Sequence, residues 1–326
     1  MINGFVTSTE IFVPKIKVIG AGGGGGNVVT KMVNVGVKNV EFITCNTDMK
    51  ALNRTTAELK IELGKNLTRG LGAGAKPEIG EAAARETLQE LEAHLEGANM
   101  VFIAAGMGGG TGTGSAPVIA ELSKKKNILT VGVVTTPFSF EGKKRMRVAL
   151  QGIEKLKGCT DTLLVIPNDK LLDASNQTTS LLDAFHLADE VLMNAIQGIT
   201  DLINHVGTIN VDFADVKTIM ENMGRAVIGK GTAAGDDRMR RAAWHAINSP
   251  LMEDTDIRGA KGILVHVMGS NDMGLLEINE AIGSIQEMAD DDVNIIFGAT
   301  TLDDMRDHVT VTVIATGLPH HDHPMP

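Results

Sequence analysis

Short runs of Val, Ile and Leu alternate with amphipathic helical patterns through the first half of the chain. The runs predict strands at 15–20, 41–46, 99–106, 128–136 and 161–167. Between them, stretches such as EAAARETLQELEAHLEG carry apolar residues at helical spacing. Strands that are apolar throughout and separated by helices form parallel sheets with both faces covered. The pattern therefore predicts a doubly wound α/β domain over residues 15–179, preceded by an N-terminal extension at 1–14.

A long helix is predicted next, over residues 180–204. On a helical wheel its polar side chains form one stripe, which comprises Asp183, His186, Glu190, Asn194, Gln197 and Asp201. Most of the remaining circumference is apolar. A helix of this kind packs on several sides, so we expect it to lie between two domains.

The chain from 205 to 317 predicts a smaller α+β domain. Helices are expected near 216–223 and 237–247, followed by the strand GILVHVMG and the helical stretch LLEINEAIGSIQEMAD. Two further strands, NIIFGATTL and HVTVTVIATG, are joined by too little chain for a crossover helix, so we expect them to pair antiparallel. Residues 318–326 are predicted to be a disordered tail.

Composition narrows the class of protein. The 326 residues exceed the usual size of one domain. The net charge of -10, the single Trp and the absence of Tyr argue against nucleic-acid binding. Cys45 and Cys159 lack metal-type or redox-type spacing, which favours a reducing compartment. The sequence shows no signal peptide and no apolar run long enough for membrane insertion, so we expect a cytoplasmic protein.

Two glycine-rich loops carry the candidate chemistry. GAGGGGGN follows the first predicted strand, and GMGGGTGTG follows the third. Glycines between a strand and a helix let backbone N–H groups converge, and the helix adds its unpaired donors and positive end. Ligands of parallel sheets bind at the carboxyl ends of the strands, where both loops fall. The loops therefore predict a phosphate-binding site.

Two other types of nucleotide-binding motif also match parts of the sequence. Gly20, Gly22 and Gly25, with Asp48 as a ribose ligand, also fit the dinucleotide fingerprint of an NAD-linked dehydrogenase. No His or Lys suited to hydride chemistry is evident, and such a site does not need the second loop. GRAVIGKG at 224–231 is an incomplete P-loop, because Gly replaces the Ser or Thr that binds magnesium.

GGGTGTGSAP resembles the signature of the tubulin/FtsZ family. Further segments follow in the order seen in bacterial FtsZ, namely KIKVIGAGGGGGNVV, NTD, TRGLGAGAKPEIG, PFSFEGKKR, IPNDKLL, SLLDAF, GITDLI, NVDFADV and GDDR. The resemblance spans nearly the whole chain. It implies the tubulin/FtsZ fold, GTP hydrolysis with Mg²⁺ held through the phosphates, head-to-tail self-assembly into protofilaments, and a role in the division ring at mid-cell. An archaeal or viral tubulin relative is the less favoured alternative within the family.

The resemblance also implies the nucleotide-binding residues. They are Gly22, Gly23, Gly24, Gly25, Gly26, Asn27, Asn46, Asp48, Ala73, Gly74, Gly108, Gly109, Gly110, Thr111, Gly112, Thr113, Gly114, Thr135, Glu141, Arg145, Asn168, Phe185 and Asp189. Phe185 and Asp189 also stand out on the wheel, since they lie four residues apart with Asp189 off the polar stripe. A carboxylate there can accept both guanine N1–H and N2–H while the ring stacks. The alternative for Asp189, a partly exposed acid at a helix edge, stays open.

NVDFADV supplies the candidate catalytic residues Asn210, Asp212 and Asp215. By the resemblance, this loop lies at the opposite end of the subunit and completes the site of the next subunit in a filament. Phosphoryl transfer to water needs a group that aligns the water, and the two acids could do so. The alternative is that Asp212 simply caps the helix that follows.

Some features depart from the family pattern. No long linker and docking peptide follow residue 317 in this sequence, so partners that tether the family to membranes through such a tail are not predicted. Thr136 stands where the family usually has Lys or Arg. The sequence is therefore interpreted either as a shortened form of a longer division protein or as a short paralogue, which works beside a full-length FtsZ or co-assembles with little GTPase activity.

Overall fold

The computed structural model describes residues 13–173, 180–204, 207–249, 252, 257–290 and 292–319. The predicted extension and tail therefore lie almost wholly outside the described residues. Within these ranges the chain forms ten strands in one sheet and twelve α-helices. No helix of this described part is long and apolar enough to cross a membrane.

The elements follow one another in chain order. The strands are β1 (Ile16–Ala21), β2 (Val40–Asn46), β3 (Leu59–Glu62), β4 (Met100–Gly106), β5 (Leu129–Thr136), β6 (Thr162–Pro167), β7 (Gly224–Ala234), β8 (Gly262–Gly269), β9 (Asn294–Thr301) and β10 (His308–Thr316). The helices are α1 (Gly22–Val35), α2 (Met49–Arg54), α3 (Lys65–Thr68), α4 (Pro77–Glu86), α5 (Leu88–Leu95), α6 (Thr111–Lys125), α7 (Lys143–Lys157), α8 (Asn168–Asp173), α9 (Leu181–Asn204), α10 (Phe213–Met220), α11 (Arg238–Ile247) and α12 (Leu275–Gln286).

The first seven strands form one parallel sheet, which contains the five predicted strands and two that were not predicted, β3 and β7. Their order is β3-β2-β1-β4-β5-β6-β7, and each neighbouring pair is parallel. Helices cover both faces, so all residues of β1 and β5 are buried. Burial on both faces explains why these strands read as continuous apolar runs. The fold class predicted from the sequence is confirmed.

The long helix α9 begins and ends close to its predicted bounds. Its 24 residues span about 36 Å. Leu181 and Leu182 at its start are exposed, whereas Leu192 and Ile199 are buried in the main core. At its other end, the Asn204 side chain donates a hydrogen bond to the Lys38 carbonyl, just before β2 begins. The helix therefore runs antiparallel to the parallel strands, from their carboxyl ends toward their amino ends.

The strand pairing near the carboxyl end differs from the prediction. The last two strands, β9 and β10, do not pair with each other; β8 lies between them, parallel to β9 and antiparallel to β10. Since α12 connects β8 to β9 as a crossover, β9 takes the outer side of β8, and β10 inserts between β8 and β7. GRAVIGKG lies within β7 and forms no phosphate loop. The division into domains at 179 and 205 stays a prediction, while the sheet itself continues through β6 and β7.

Candidate functional site

A cavity of about 430 Å³ opens at the carboxyl ends of β1, β4, β5 and β6. This is the edge of a parallel sheet at which ligands bind. Its lining residues are Gly23, Gly24, Asn27, Gly106, Met107, Gly109, Gly110, Thr111, Gly112, Thr135, Thr136, Pro137, Glu141, Arg145, Asn168, Phe185, Ala188 and Asp189. Both glycine loops and the first turns of α9 therefore meet around one space.

The first glycine loop divides into a cavity-lining part and a packing part. Gly22 begins α1 with a φ of +72°, a left-handed conformation that favours glycine. Gly23 is exposed at the cavity, and a Cβ added there would meet nothing within 4 Å. A Cβ at Gly25 would instead collide with the Ala104 carbonyl of β4. Gly23 thus leaves room for a ligand, while Gly25 lets α1 approach the sheet.

The second glycine loop is built in the same way. Gly109 faces open space, whereas a Cβ at Gly114 would collide with the Pro77 carbonyl of α4. The Thr113 hydroxyl accepts a hydrogen bond from the Gly108 N–H at 2.9 Å, which folds the loop back onto α6. Neither α1 nor α6 has a side-chain hydrogen bond at its N-cap. Two helix N-termini with uncapped donors therefore converge on the cavity, an arrangement that binds phosphate groups.

Phe185 and Asp189 of α9 line one side of the cavity, and the rings of Phe138 and Phe140 pack around Phe185. Phe138 stacks on Phe140 with ring centroids 5.1 Å apart and meets the edge of Phe185 at 5.4 Å. Burial raises the pKa of Asp189 to about 6, an effect partly offset by the charges of Lys31 and His186 and by a hydrogen bond with Asn27. A half-buried carboxylate beside an aromatic ring can accept two N–H groups from a flat base.

Polar groups line the wall of the cavity between Phe185 and the glycine loops. Glu141 accepts a hydrogen bond from the Phe138 N–H at 2.8 Å and pairs with Arg145 at 2.9 Å. Asn168 is buried, and among the described residues no hydrogen-bond partner reaches its Oδ1. A buried amide oxygen without a partner at a cavity wall is satisfied when a ligand donates to it. The site therefore fits a nucleotide with a donor-bearing base or sugar.

Ten of the predicted binding residues do not line the cavity. Those that do not line it are Gly22, Gly25, Gly26, Asn46, Asp48, Ala73, Gly74, Gly108, Thr113 and Gly114. Asp48 caps α2 by accepting the N–H groups of Lys50 and Ala51, and Asn46 accepts the Asp48 N–H. Ala73 lies against Gly110, where an added Cβ would be 2.8 Å from the Ala73 Cβ. Asn46, Asp48 and Ala73 therefore hold the chain beside the cavity and do not line it.

Several lining residues are not among those predicted from the sequence. Gly106, Met107, Thr136 and Pro137 were not assigned to the site, although they stand directly at or after the ends of β4 and β5. Their position at strand ends beside predicted residues was the available signal. Ala188 was also missed, and it lies one helical turn beyond Phe185.

The candidate catalytic residues lie outside the cavity. Asp212 and Asp215 are exposed at the start of α10, and Asp212 accepts the Asp215 N–H at 2.8 Å as an N-cap. The far end of α10 contacts the amino end of β6, where the Thr162 hydroxyl donates to the Met220 carbonyl. The cavity lies at the carboxyl end of the same strand. The two sets of residues therefore belong to different parts of the subunit.

Known proteins share both the sequence pattern and the fold of this chain. The model of the "Tubulin/FtsZ family, GTPase domain" matches residues 15–176, and that of the "FtsZ family, C-terminal domain" matches residues 224–319. An empty FtsZ dimer from M. jannaschii is 49% identical, with a TM-score of 0.89, over 94% of this chain and 89% of that one. A point mutant of the same M. jannaschii FtsZ has the same identity and TM-score over 94% of this chain and 92% of that one.

The chain belongs to the tubulin/FtsZ family. Membership in this GTPase family supports GTP binding and GTP hydrolysis in general and removes the dehydrogenase alternative. Two CetZ proteins from Haloferax volcanii, at 20% and 21% identity with TM-scores of 0.80 and 0.82, share the fold. CetZ2 was solved as a GTPγS-bound protofilament, and CetZ1 as a GDP-bound monomer.

Proposed function

We propose that this FtsZ-family chain binds GTP in the cavity and polymerises head to tail, so that residues 210–215 of one subunit complete the hydrolytic site of its neighbour. One observation carries the proposal. The cavity has phosphate donors and base acceptors, while the candidate water-aligning acids Asp212 and Asp215 stand on another part of the same subunit. A head-to-tail contact can bring the two together, and such contacts generate open filaments when the rotation does not close.

Different residues of the cavity bind different parts of the nucleotide. The N-terminal N–H groups of α1 and α6 bind the phosphates, and the side chains of Asp189 and Asn168 accept hydrogen bonds from the base and sugar. Phe185 packs against the base. Thr135, Glu141 and Arg145 complete the wall near the sugar. Guanine is favoured over adenine because only guanine presents adjacent N1–H and N2–H donors to one carboxylate.

Mg²⁺ would be held mainly by phosphate oxygens and water. Among the described residues, no group of three or more His, Cys, Asp or Glu side chains is placed to hold a metal ion. When bound, Mg²⁺ neutralises charge on the β- and γ-phosphate oxygens. The neighbour's Asp212 and Asp215 then orient the attacking water and accept its proton, while its Asn210 positions the loop.

The decisive experiment measures GTP-dependent pelleting and phosphate release together over a range of protein concentrations. We expect phosphate release per subunit to rise with concentration and to follow the pelleted fraction, because each hydrolytic site needs two subunits. A rate per subunit that stays constant at dilutions where nothing pellets would contradict the shared site. Pelleting with almost no phosphate release would instead indicate a co-assembling structural paralogue.

We extend the proposal to cell division at mid-cell. The support is the FtsZ-type C-terminal domain match together with the FtsZ structures at 49% identity. In the native host, a fluorescent fusion is expected to form a ring at the division site, and depletion is expected to block septation. Normal septation after depletion would point to an auxiliary role beside a full-length FtsZ, and mixed pelleting of the two proteins would test that association.

A further inference from the structure

Lys31 is a charged residue of α1 that is absent from the cavity lining and yet is linked to the guanine side of the site. Its ammonium donates a hydrogen bond to the His186 carbonyl of α9 at 2.6 Å. In an α-helix the carbonyl oxygen of residue 186 points toward the next turn, which carries Asp189. The bond therefore places the end of a flexible four-carbon side chain beside the turn that bears the base acceptor.

The charge of Lys31 acts on Asp189. Burial raises the pKa of the Asp189 carboxyl, and the positive charge of Lys31 lowers it again. Asn27, one turn before Lys31 on α1, lowers it further through a side-chain hydrogen bond. The helix α1 therefore supports the ionised carboxylate with one hydrogen bond and one charge.

Other charged groups surround Asp189 and must be considered with Lys31. His186, on α9, also lowers the pKa of Asp189 through its charge. Glu190 follows Asp189 on the same helix and is exposed. Across the cavity Glu141 and Arg145 neutralise each other in an ion pair. Of the two groups whose charges lower this pKa, Lys31 is the one that reaches α9 from another helix, through its hydrogen bond to the His186 carbonyl.

We propose that Lys31 is a positioning residue for guanine recognition: docked on the His186 carbonyl, it keeps Asp189 ionised and directed at the two N–H donors of the base. The inference rests on the proposed GTP-binding function. Only the ionised carboxylate accepts both donors, so binding weakens about tenfold for each pH unit below the pKa of Asp189. Lys31 holds that pKa down and so extends tight binding to lower pH.

The test is the affinity for GDP, which avoids hydrolysis, measured by calorimetry from pH 5 to pH 8. In Lys31→Met, the loss of a nearby charge is expected to raise the pKa of Asp189 by about half to one unit, which is a three- to tenfold loss of affinity near pH 5.5. At pH 8, where the carboxylate is ionised in both proteins, the two affinities should agree within about twofold. Lys31→Arg, which keeps the charge, should follow the wild-type pH profile.

Two further variants separate positioning from a purely structural role. Asp189→Asn removes the titrating group, so adding Lys31→Met to it should produce no pH-dependent change. His186→Gln keeps the backbone carbonyl and removes the ring, so the effect of Lys31→Met should persist in that background. Thermal melts establish that each variant is folded before binding is measured, and Lys31→Gln replaces Lys31→Met if that variant fails to fold.

The outcomes are distinct. An equal loss of affinity in Lys31→Met at pH 5.5 and at pH 8, or a pH-dependent loss that remains after Asp189→Asn, would overturn the role of Lys31 and leave GTP binding intact. A wild-type protein that binds neither GDP nor GTP at any pH would overturn the proposed function itself, and the inference with it.

Discussion

Replacing Asp189 with Asn is expected to stabilise the nucleotide-free protein while it weakens guanine binding. Burial raises the pKa of this carboxyl from 3.8 to about 6, so ionisation at neutral pH is less favourable in the folded protein than in the unfolded chain. A carboxyl group whose pKa is raised by folding costs stability as the pH rises from about 4 to about 6, and the cost stays constant above that range. Asn has nearly the same shape without the charge and removes this cost.

The size of the expected stability change follows from the shift in the pKa of Asp189. Two pKa units correspond to about 3 kcal/mol. Because Asp189 is only partly buried, solvent screening reduces the cost to about 1–2 kcal/mol. We therefore expect the free energy of unfolding of Asp189→Asn to exceed that of the wild type by about 1–2 kcal/mol at pH 7.5, and the difference to shrink toward zero as the pH falls below about 4.

The assay is urea unfolding of nucleotide-stripped protein at several pH values between 4 and 8, paired with GDP titration at pH 7.5. Affinity for GDP should fall by at least about tenfold, because the Asn amide cannot accept both base donors and its NH₂ group opposes one of them. Glu190→Gln, an exposed change of the same chemical type on the same helix, should alter neither quantity. A variant that is less stable at pH 7.5, or a stability difference that does not change with pH, would refute the reasoning.

The remaining predictions concern the acids of the 210–215 loop and two glycines. Ala at Asp212 or Asp215 should abolish GTP turnover and leave GDP affinity within about twofold; a large loss of affinity would place these acids in the chain's own site. Since Asp212 also caps α10, its Ala variant should unfold about 1 kcal/mol more easily, whereas Asp212→Asn should be inactive with the cap retained. Gly23→Ala should fold with unchanged or slightly higher stability and bind GDP more weakly, because its Cβ enters open cavity space. Gly114→Ala should lower the free energy of unfolding by about 1–3 kcal/mol, because its Cβ would collide with the Pro77 carbonyl. An unchanged melting temperature would contradict the packing described for α6.

The sequence alone predicted the elements that depend on local pattern. The apolar runs indicated the parallel strands, the long polar stripe indicated α9, and the two glycine loops indicated where a phosphate would bind. These features are encoded by neighbouring residues, since apolar runs, helical spacing and the conformational freedom of glycine are local properties of the sequence. Family resemblance then narrowed the ligand to GTP, which no local pattern could separate from NAD. The named residues remain predictions as contacts of a bound nucleotide.

Tertiary structure decided what depends on distant partners. The order of β8, β9 and β10 follows from which strand edge remains free after α12 crosses over, and no short stretch of sequence records that choice. The same holds within each glycine loop, where Gly23 faces open space and Gly25 meets the Ala104 carbonyl of another strand. Lys31 looks like any surface lysine in the sequence, and it gains a role only because α1 packs beside α9 and presents it to the His186 carbonyl. Such contacts arise from packing between segments far apart in the chain, so they become visible only in the folded molecule.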